Sequence, residues 1–123
     1  MMAKKDMEVL RPSKTTEYTL RFGSTAASKG WSDFKATANN ALADAWDHLV
    51  RHREESSERC YPLKGKHFGS ANFGEHSYVQ WQYKVTDGGR IWYIVVPASK
   101  KEKGTGTVII TRCSTSHPKE TDS

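Results

Sequence analysis

The second half of the sequence holds three residue types that could together act on a phosphate group. Lys84 and Arg90 flank the turn-forming segment Asp87-Gly88-Gly89, and His117 lies near the C-terminus. An arginine presents a planar fork of N–H donors to phosphate oxygens, a lysine adds a compact positive charge, and a histidine transfers protons near neutral pH. These types suit charge stabilisation and proton transfer on an anionic substrate, chemistry that needs no metal ion or other cofactor.

The chain as a whole is also basic. Its 123 residues include 19 Lys and Arg against 14 Asp and Glu, which gives a formal net charge of +5 at pH 7. A basic surface attracts polyanions and releases their counterions, so nucleic acid is a more natural partner than a membrane. A basic protein whose charges serve only solubility is the alternative.

The residues around Arg90 follow a strand–turn–strand pattern. Apolar residues alternate with polar ones in two series, which are Val79, Trp81, Tyr83, Val85 and Gln80, Gln82, Lys84, Thr86. This alternation predicts a strand with one core face and one polar face. A three-residue turn would pair Thr86 with Arg90 and place Arg90 on the polar face. Trp92 shares that face and could stack on a nucleobase, unless the N-terminal arm or the C-terminal tail covers it.

The elements that must position these residues begin with a half-buried strand at Glu17–Phe22. Residues 26–53 then form an apolar stripe at helical spacing, made of Trp31, Phe34, Ala38, Leu42, Ala45 and Leu49. Gly30 and Asn39-Asn40 weaken a single helix, so we expect a hairpin with one helix to about Lys35 and another from about Thr37 to Arg53. Ser24 could cap the first helix.

The segment after the helices predicts a sheet. Lys66–Ser77, with its glycines, predicts an ordered surface loop, Arg90–Val96 a central strand and Thr107–Cys113 the last strand. The fold class is therefore α+β, with an N-terminal strand, a helical hairpin and an antiparallel three- to four-stranded meander packed on the helices. We expect a flexible basic arm at residues 1–16, a single domain at 17–119 and a disordered tail at 120–123.

Several classes of protein are not expected. No apolar run reaches membrane-spanning length and the N-terminus has no signal-like segment, so we expect a cytoplasmic protein. Cys60 and Cys113 form no CxxC pair, which predicts free thiols. His48 and His52 have a spacing that can bind metal, but no neighbouring residue completes a ligand set.

The order of elements and three short motifs resemble the RelE/ParE toxin superfamily. The motifs are Leu63-Lys64-Gly65 before the meander, Gly89-Arg90-Ile91-Trp92-Tyr93 at the start of the central strand, and a histidine-bearing basic segment after the last strand. The similarity covers about Glu17 to Lys119. The Arg-Ile-Trp-Tyr segment and the late histidine are more similar to the RelE branch than to the ParE branch.

The resemblance implies a ribosome-dependent endoribonuclease that cuts mRNA and is neutralised by a cognate antitoxin. In such cleavage the substrate's 2′-hydroxyl attacks the adjacent phosphate, so the protein must help to remove a proton, stabilise charge and protonate the leaving 5′-oxygen. The resemblance places Arg90 at the scissile phosphate and His117 at the leaving group. Lys84 could bind phosphate or act electrostatically.

Further RNA contacts are expected around these three residues. The candidates are Lys64, Lys66, Gln82, Trp92, Arg112 and Lys119. Several relatives carry two or three basic residues on the strand where this chain has Gln80 and Gln82. Two alternatives therefore stay open, a ParE-like gyrase-inhibiting toxin without chemistry of its own and a non-catalytic relative that binds RNA or an antitoxin. Arg90 could also be a surface residue paired with Asp87, and His117 a solvated tail residue.

Overall fold

The computed structural model describes residues 5–98 and 106–116. Its elements in chain order are β1 (Thr19–Phe22), α1 (Thr25–Thr37), α2 (Asn39–Arg51), β2 (Cys60–Pro62), β3 (Ser70–Phe73), β4 (His76–Lys84), β5 (Arg90–Val96) and β6 (Thr107–Ser114). Within the described residues the strands form a six-stranded sheet in the order β1-β6-β5-β4-β2, with β3 paired to β4. The predicted α+β class is confirmed.

The predicted helical hairpin is confirmed, and a single residue, Ala38, separates the two helices. The Ser24 hydroxyl accepts a hydrogen bond from the Ala27 N–H at 3.1 Å and so caps α1 as expected. Ala38 adopts φ −150° between the helices, and its N–H donates to the Phe34 carbonyl at 2.7 Å. A Cβ added to Gly30 would lie 2.2 Å from the Cys113 carbonyl oxygen. The glycine therefore lets α1 pack directly against β6.

The two helices cover one face of the sheet, which we call the helix face. Its buried apolar side chains are Trp81, Tyr83, Val85, Ile91, Tyr93, Val108 and Ile110. They pack against the predicted helical stripe, of which Phe34, Leu42, Ala45 and Leu49 are fully buried. The Tyr93 hydroxyl donates to the Arg53 carbonyl at 2.6 Å and lies 3.0 Å from the Cys60 sulfur. Cys60 and Cys113 are both free, and burial raises the pKa of each thiol.

The sheet differs from the predicted meander in two respects. The predicted loop at Lys66–Ser77 contains β3 and the beginning of β4, which form a hairpin whose turn includes Gly74 at φ +64°. The register across the β4–β5 turn is also shifted, because Arg90 lies opposite Lys84 instead of Thr86. A shift of two residues preserves the faces of a strand, so the prediction that Arg90, Lys84 and Trp92 share a face holds.

The first strand begins at Thr19 and not at Glu17 as predicted, because the Glu17 side chain forms ion pairs with two arginines. Its buried carboxylate accepts hydrogen bonds from both Arg11 Nη atoms at 2.8 Å, from the Lys14 N–H at 2.8 Å and from Arg51 Nε at 3.1 Å. The hydrogen bonds from Arg11 contribute most to lowering the pKa of Glu17 to about 2. Arg11 of the predicted arm thus has a defined contact with the domain, while the flexibility of the arm stays a prediction.

No helix in the described part of the chain is long and apolar enough to cross a membrane.

Candidate functional site

The face of the sheet opposite the helices, which we call the open face, carries two rows of directly opposed residues. The first, the polar row, runs from Tyr61 through Gln82 and Trp92 to Arg112, with one residue each from β2, β4, β5 and β6. The second row consists of Lys84, Arg90 and Ser114. The sheet therefore brings the predicted residues Lys84, Arg90, Gln82, Trp92 and Arg112 onto one face.

The polar row is linked by side-chain contacts. Trp92 Nε1 donates to Gln82 Oε1 at 2.8 Å, and Gln82 Nε2 donates to the Tyr61 hydroxyl oxygen at 2.8 Å. At the other end, the Arg112 guanidinium carbon lies 5.0 Å from the centre of the Trp92 ring, a cation–π contact. Gln82 and Trp92 are only 2% and 5% exposed, whereas Tyr61 and Arg112 are partly exposed.

The predicted polar face of β4 is therefore not exposed to solvent at its centre. The segment Leu63–Gly69, which we call the covering loop, lies over it. The Phe68 ring packs edge-on against Trp92 with a centroid distance of 5.4 Å, and its carbonyl accepts from Gln80 Nε2 at 2.8 Å. The Gly69 carbonyl accepts from the Gln80 N–H at 3.0 Å. As a result, Gln82 and Trp92 could contact RNA only if this loop moved.

Arg90 is also buried, with 5% exposure, and it organises the β4–β5 turn. Its Nη1 donates to the main-chain oxygens of Thr86, Asp87 and Gly89 at 2.9–3.0 Å. Its buried Nε has no hydrogen-bond partner among residues 5–98 and 106–116. Arg90 is thus neither a freely exposed cation nor paired through the Asp87 carboxylate in the contacts that the structure shows. A direct role at the scissile phosphate stays a prediction.

Several accessible cations lie on the segments that carry or adjoin Tyr61 and its partner strand β4. Lys84 is partly exposed, with Nζ 5.4 Å from the centre of the Tyr61 ring. Lys64 and Lys66 are exposed in the covering loop. Arg59, also exposed, donates from Nη1 to the Lys84 carbonyl at 2.5 Å. We call Tyr61, Lys84, Lys64 and Arg59 the basic end of the open face.

Two of the predicted site residues, His117 and Lys119, lie outside the described residues, so their roles stay predictions. Two residues of the basic end were missed from the sequence, Tyr61 and Arg59. Tyr61 belongs to a three-residue strand, which is too short to show a period of two. The adjoining Leu63-Lys64-Gly65 motif is the one signal that could have drawn attention to it.

The metal-binding spacing of His48 and His52 has a structural explanation. The His48 ring lies 4.9 Å from the Tyr83 ring, and burial lowers the pKa of His48. His52 contacts the Glu55 carboxylate. The described residues contain no group of three or more His, Cys, Asp or Glu placed to hold a metal ion.

Two further hollows lie away from the basic end. A groove of about 620 Å³ on the open face is lined by residues that include Arg21, Phe73, His76, Tyr78 and Ile109. Tyr78 is four residues along β4 from Gln82, a separation of about 14 Å. The second hollow, of about 310 Å³, lies between the helices and includes Trp31, Leu42 and Trp46 in its lining.

Comparison with known proteins identifies a solved structure with a similar fold. The chain has the α+β fold of the RelE/ParE toxins. A YoeB/ParE toxin from Agrobacterium tumefaciens is similar over 81% of this chain and 99% of that chain, with a TM-score of 0.57 and 16% sequence identity. No protein-family model matches the sequence. No curated protein shows significant sequence similarity to it.

Proposed function

We propose that the protein is the toxin of a type II toxin–antitoxin pair, a RelE-like ribosome-dependent endoribonuclease that cuts mRNA and inhibits translation. The observation that carries this proposal is the cross-strand placement of Lys84 opposite Arg90, beside Tyr61 and Arg112 on one sheet face. The similarity in fold to a YoeB/ParE toxin supports the toxin class. In this function the protein acts in the cytoplasm on ribosome-bound mRNA.

The basic end suits the charge requirements of the reaction. Attack by the RNA 2′-hydroxyl adds negative charge to the phosphate, and nearby fixed cations stabilise that charge without a metal ion. Lys84 is a partly exposed cation on the strand face, while Lys64, Lys66 and Arg112 extend the positive surface for neighbouring phosphates. His117 is proposed to protonate the leaving 5′-oxygen.

In this proposal Arg90 contributes its charge, and its Nη1 contacts a phosphate only if the β4–β5 turn changes. From its buried position its charge adds to the positive potential of the open face. Contact between Nη1 and a phosphate requires the main-chain oxygens of Thr86 and Asp87 to release Nη1. Phosphate oxygens could replace those acceptors if ribosome binding opened the turn.

The decisive test is to induce the protein without an antitoxin and to map new RNA ends on ribosomes. We expect growth arrest and new ends within translated mRNA, both relieved by Lys84→Ala and by His117→Ala. Lys29→Ala, which removes an exposed lysine from α1, is the matched control and should leave cleavage intact. If both site variants stay fully toxic, the assignment of these residues is wrong.

A second candidate is a relative without RNA cleavage, and one observation favours it. Arg90 Nη1, the Gln82 amide and the Trp92 indole N–H are all engaged within the chain. Unchanged growth and intact mRNA after induction would support a non-catalytic RNA- or antitoxin-binding protein. Growth arrest with a DNA damage response and intact mRNA would instead support a ParE-like gyrase inhibitor.

The proposed partner in the cell is a cognate antitoxin, and two surfaces could receive it. An acidic segment would complement the basic end and hide it. A helix or strand could instead dock at the hollow between the helices, where Trp31 and Trp46 form part of the lining. Rising salt should weaken binding at the basic end much more than binding at the hollow.

A further inference from the structure

The direction of each hydrogen bond in the polar row can be assigned without ambiguity. An indole N–H can only donate, so the Gln82 atom that faces Trp92 Nε1 must be the carbonyl oxygen. The Gln82 NH₂ group therefore faces Tyr61 and donates to its hydroxyl oxygen. Because Gln82 already supplies a proton to that oxygen, the hydroxyl's own hydrogen must point elsewhere.

The hydrogen of the Tyr61 hydroxyl has no acceptor among the described residues. In the described part of the chain, the hydrogen bond of this hydroxyl is the one that it receives from Gln82. Tyr61 is partly exposed, whereas Gln82 behind it is 2% exposed. The hydrogen bond from Gln82 thus holds the phenol in place and leaves its hydroxyl hydrogen free to donate to a ligand.

The immediate surroundings of this donor select the type of acceptor. Lys84 Nζ lies 5.4 Å from the centre of the Tyr61 ring, and an ammonium group offers donors only. A ligand that satisfies both groups must supply acceptor oxygens and negative charge. Exposed Lys64 and Lys66 in the adjoining covering loop favour a ligand with several regularly spaced anionic groups, which a nucleic-acid backbone provides.

We infer that Tyr61 and Lys84 form a phosphodiester-binding position at the basic end, in which the Tyr61 hydroxyl donates to a non-bridging phosphate oxygen of RNA. Gln82 and Trp92 are positioning residues, because they act on the ligand only through the Tyr61 hydroxyl. This inference deepens the proposed function and rests on it for the identity of the ligand as RNA. It places the bound phosphate beside Tyr61, away from the Trp92 ring beneath the covering loop.

The binding test uses the full chain labelled with ¹³C at the tyrosine ζ carbon, titrated with a 2′-O-methyl RNA trinucleotide that cannot be cleaved. The Tyr61 resonance, assigned from its loss in Tyr61→Phe, should shift on RNA addition. The Tyr18 resonance should not, because the Tyr18 ring is stacked against Arg53. Binding without a shift at Tyr61, or no binding at all, would overturn the inference.

The affinity of the variants gives a second readout. Tyr61→Phe keeps the ring and removes one hydrogen bond to a charged group, so it should weaken RNA binding about tenfold. Tyr78→Phe is the matched control, a partly exposed tyrosine on β4 that lines the distant groove, and should bind RNA like the wild type. Equal affinity of Tyr61→Phe and the wild type would remove the inferred contact.

The positioning role of Gln82 has its own signature. Gln82→Leu should weaken RNA binding several-fold and shift the indole N–H proton resonance of Trp92, since both of its neighbours lose a partner. Combining it with Tyr61→Phe should weaken binding no further than Tyr61→Phe alone. Fully additive losses would contradict a role through the hydroxyl.

Two further measurements separate this inference from the proposed function. If the wild type cuts ribosome-bound mRNA and Tyr61→Phe cuts equally well with equal affinity, the Tyr61 contact fails while the nuclease function stands. If the wild type cuts nothing but RNA shifts the Tyr61 resonance, the binding position stands and the nuclease function fails. A shift caused by an acidic peptide and not by RNA would overturn the inference in favour of a protein ligand.

Discussion

The helix face and the open face of the sheet are both buried over much of their area, but in different ways. The helix face presents apolar side chains such as Tyr83, Ile91 and Tyr93 to the two helices. On the open face, Gln82 and Trp92 are joined by a hydrogen bond within the sheet, and Arg90 donates to the main chain of the β4–β5 turn. The covering loop packs on Trp92 through the Phe68 ring. Apolar burial tolerates changes of angle, whereas a buried polar group is stable only while its partners stay in place. The open face can therefore change with its loop while the helix face holds the domain together.

The largest effect should come from the helix face. Leu49→Ala removes a fully buried side chain from α2 and should lower the free energy of unfolding by about 2–5 kcal/mol. Urea denaturation measures this loss. Asp44→Ala, at an exposed position of the same helix, should change stability by less than about 0.5 kcal/mol. A small loss for Leu49→Ala would contradict the view that this face carries most of the stability.

On the open face, Gln82→Leu should cost less and act by a different mechanism. It leaves the buried Trp92 N–H without an acceptor, which costs about 1–3 kcal/mol of unfolding free energy. Val79→Ala, on the same strand but 55% exposed, serves as the control and should change little. If Gln82→Leu were as stable as the wild type, the polar row would not be a structural requirement of this face.

Altering the covering loop should change the stability less than Gln82→Leu does. It should, however, increase the access of solvent to Trp92. Phe68→Ala removes the ring that packs on Trp92 and should cost about 1 kcal/mol, because Phe68 is only partly buried. Acrylamide quenching of tryptophan fluorescence should increase, since Trp92 becomes accessible. Phe73→Ala, which removes an exposed ring from β3, should leave the quenching unchanged. Unchanged quenching in Phe68→Ala would show that the loop does not control access to Trp92.

A separate effect, which depends on pH, concerns the ion pairs of Glu17, which lie outside both faces. A carboxyl group whose pKa is lowered to about 2 stabilises the fold above its unfolded-state pKa of about 4.5 and loses that contribution as the pH falls towards 2. The thermal midpoint of the wild type should therefore decline between about pH 5 and pH 2 more steeply than that of Glu17→Gln. Parallel curves for the two proteins would refute this assignment.

The sequence patterns predicted the helix face well because that face follows simple periods. The spacing of Phe34, Leu42 and Leu49 identified the buried helical stripe, and the alternation around Trp81 and Tyr83 identified the core side of β4. Each period reflects one side of a regular element meeting one apolar layer. The face shared by Lys84 and Arg90 was predicted for the same reason, even though the register was wrong by two residues.

The open face was harder to predict because its burial depends on contacts between distant segments. A polar residue such as Gln82 indicates a solvent-facing position by its type, yet Tyr61 and Trp92 together satisfy its hydrogen bonds. Neither partner can be inferred from the alternation of β4. The covering loop escaped prediction because close approaches such as Gly69 to the Gly65 carbonyl are irregular and have no period.

The position of β6 in the sheet has a consequence for how the protein is made. This strand comes last in sequence among the described elements, yet it lies between β1 and β5 and pairs with both. During synthesis β1 must wait for nearly the whole chain before its neighbour emerges from the ribosome, and such distant pairing is slow to form. Chains that end before Thr107 would lack the strand that joins the two parts of the sheet, so interrupted synthesis should give no folded product.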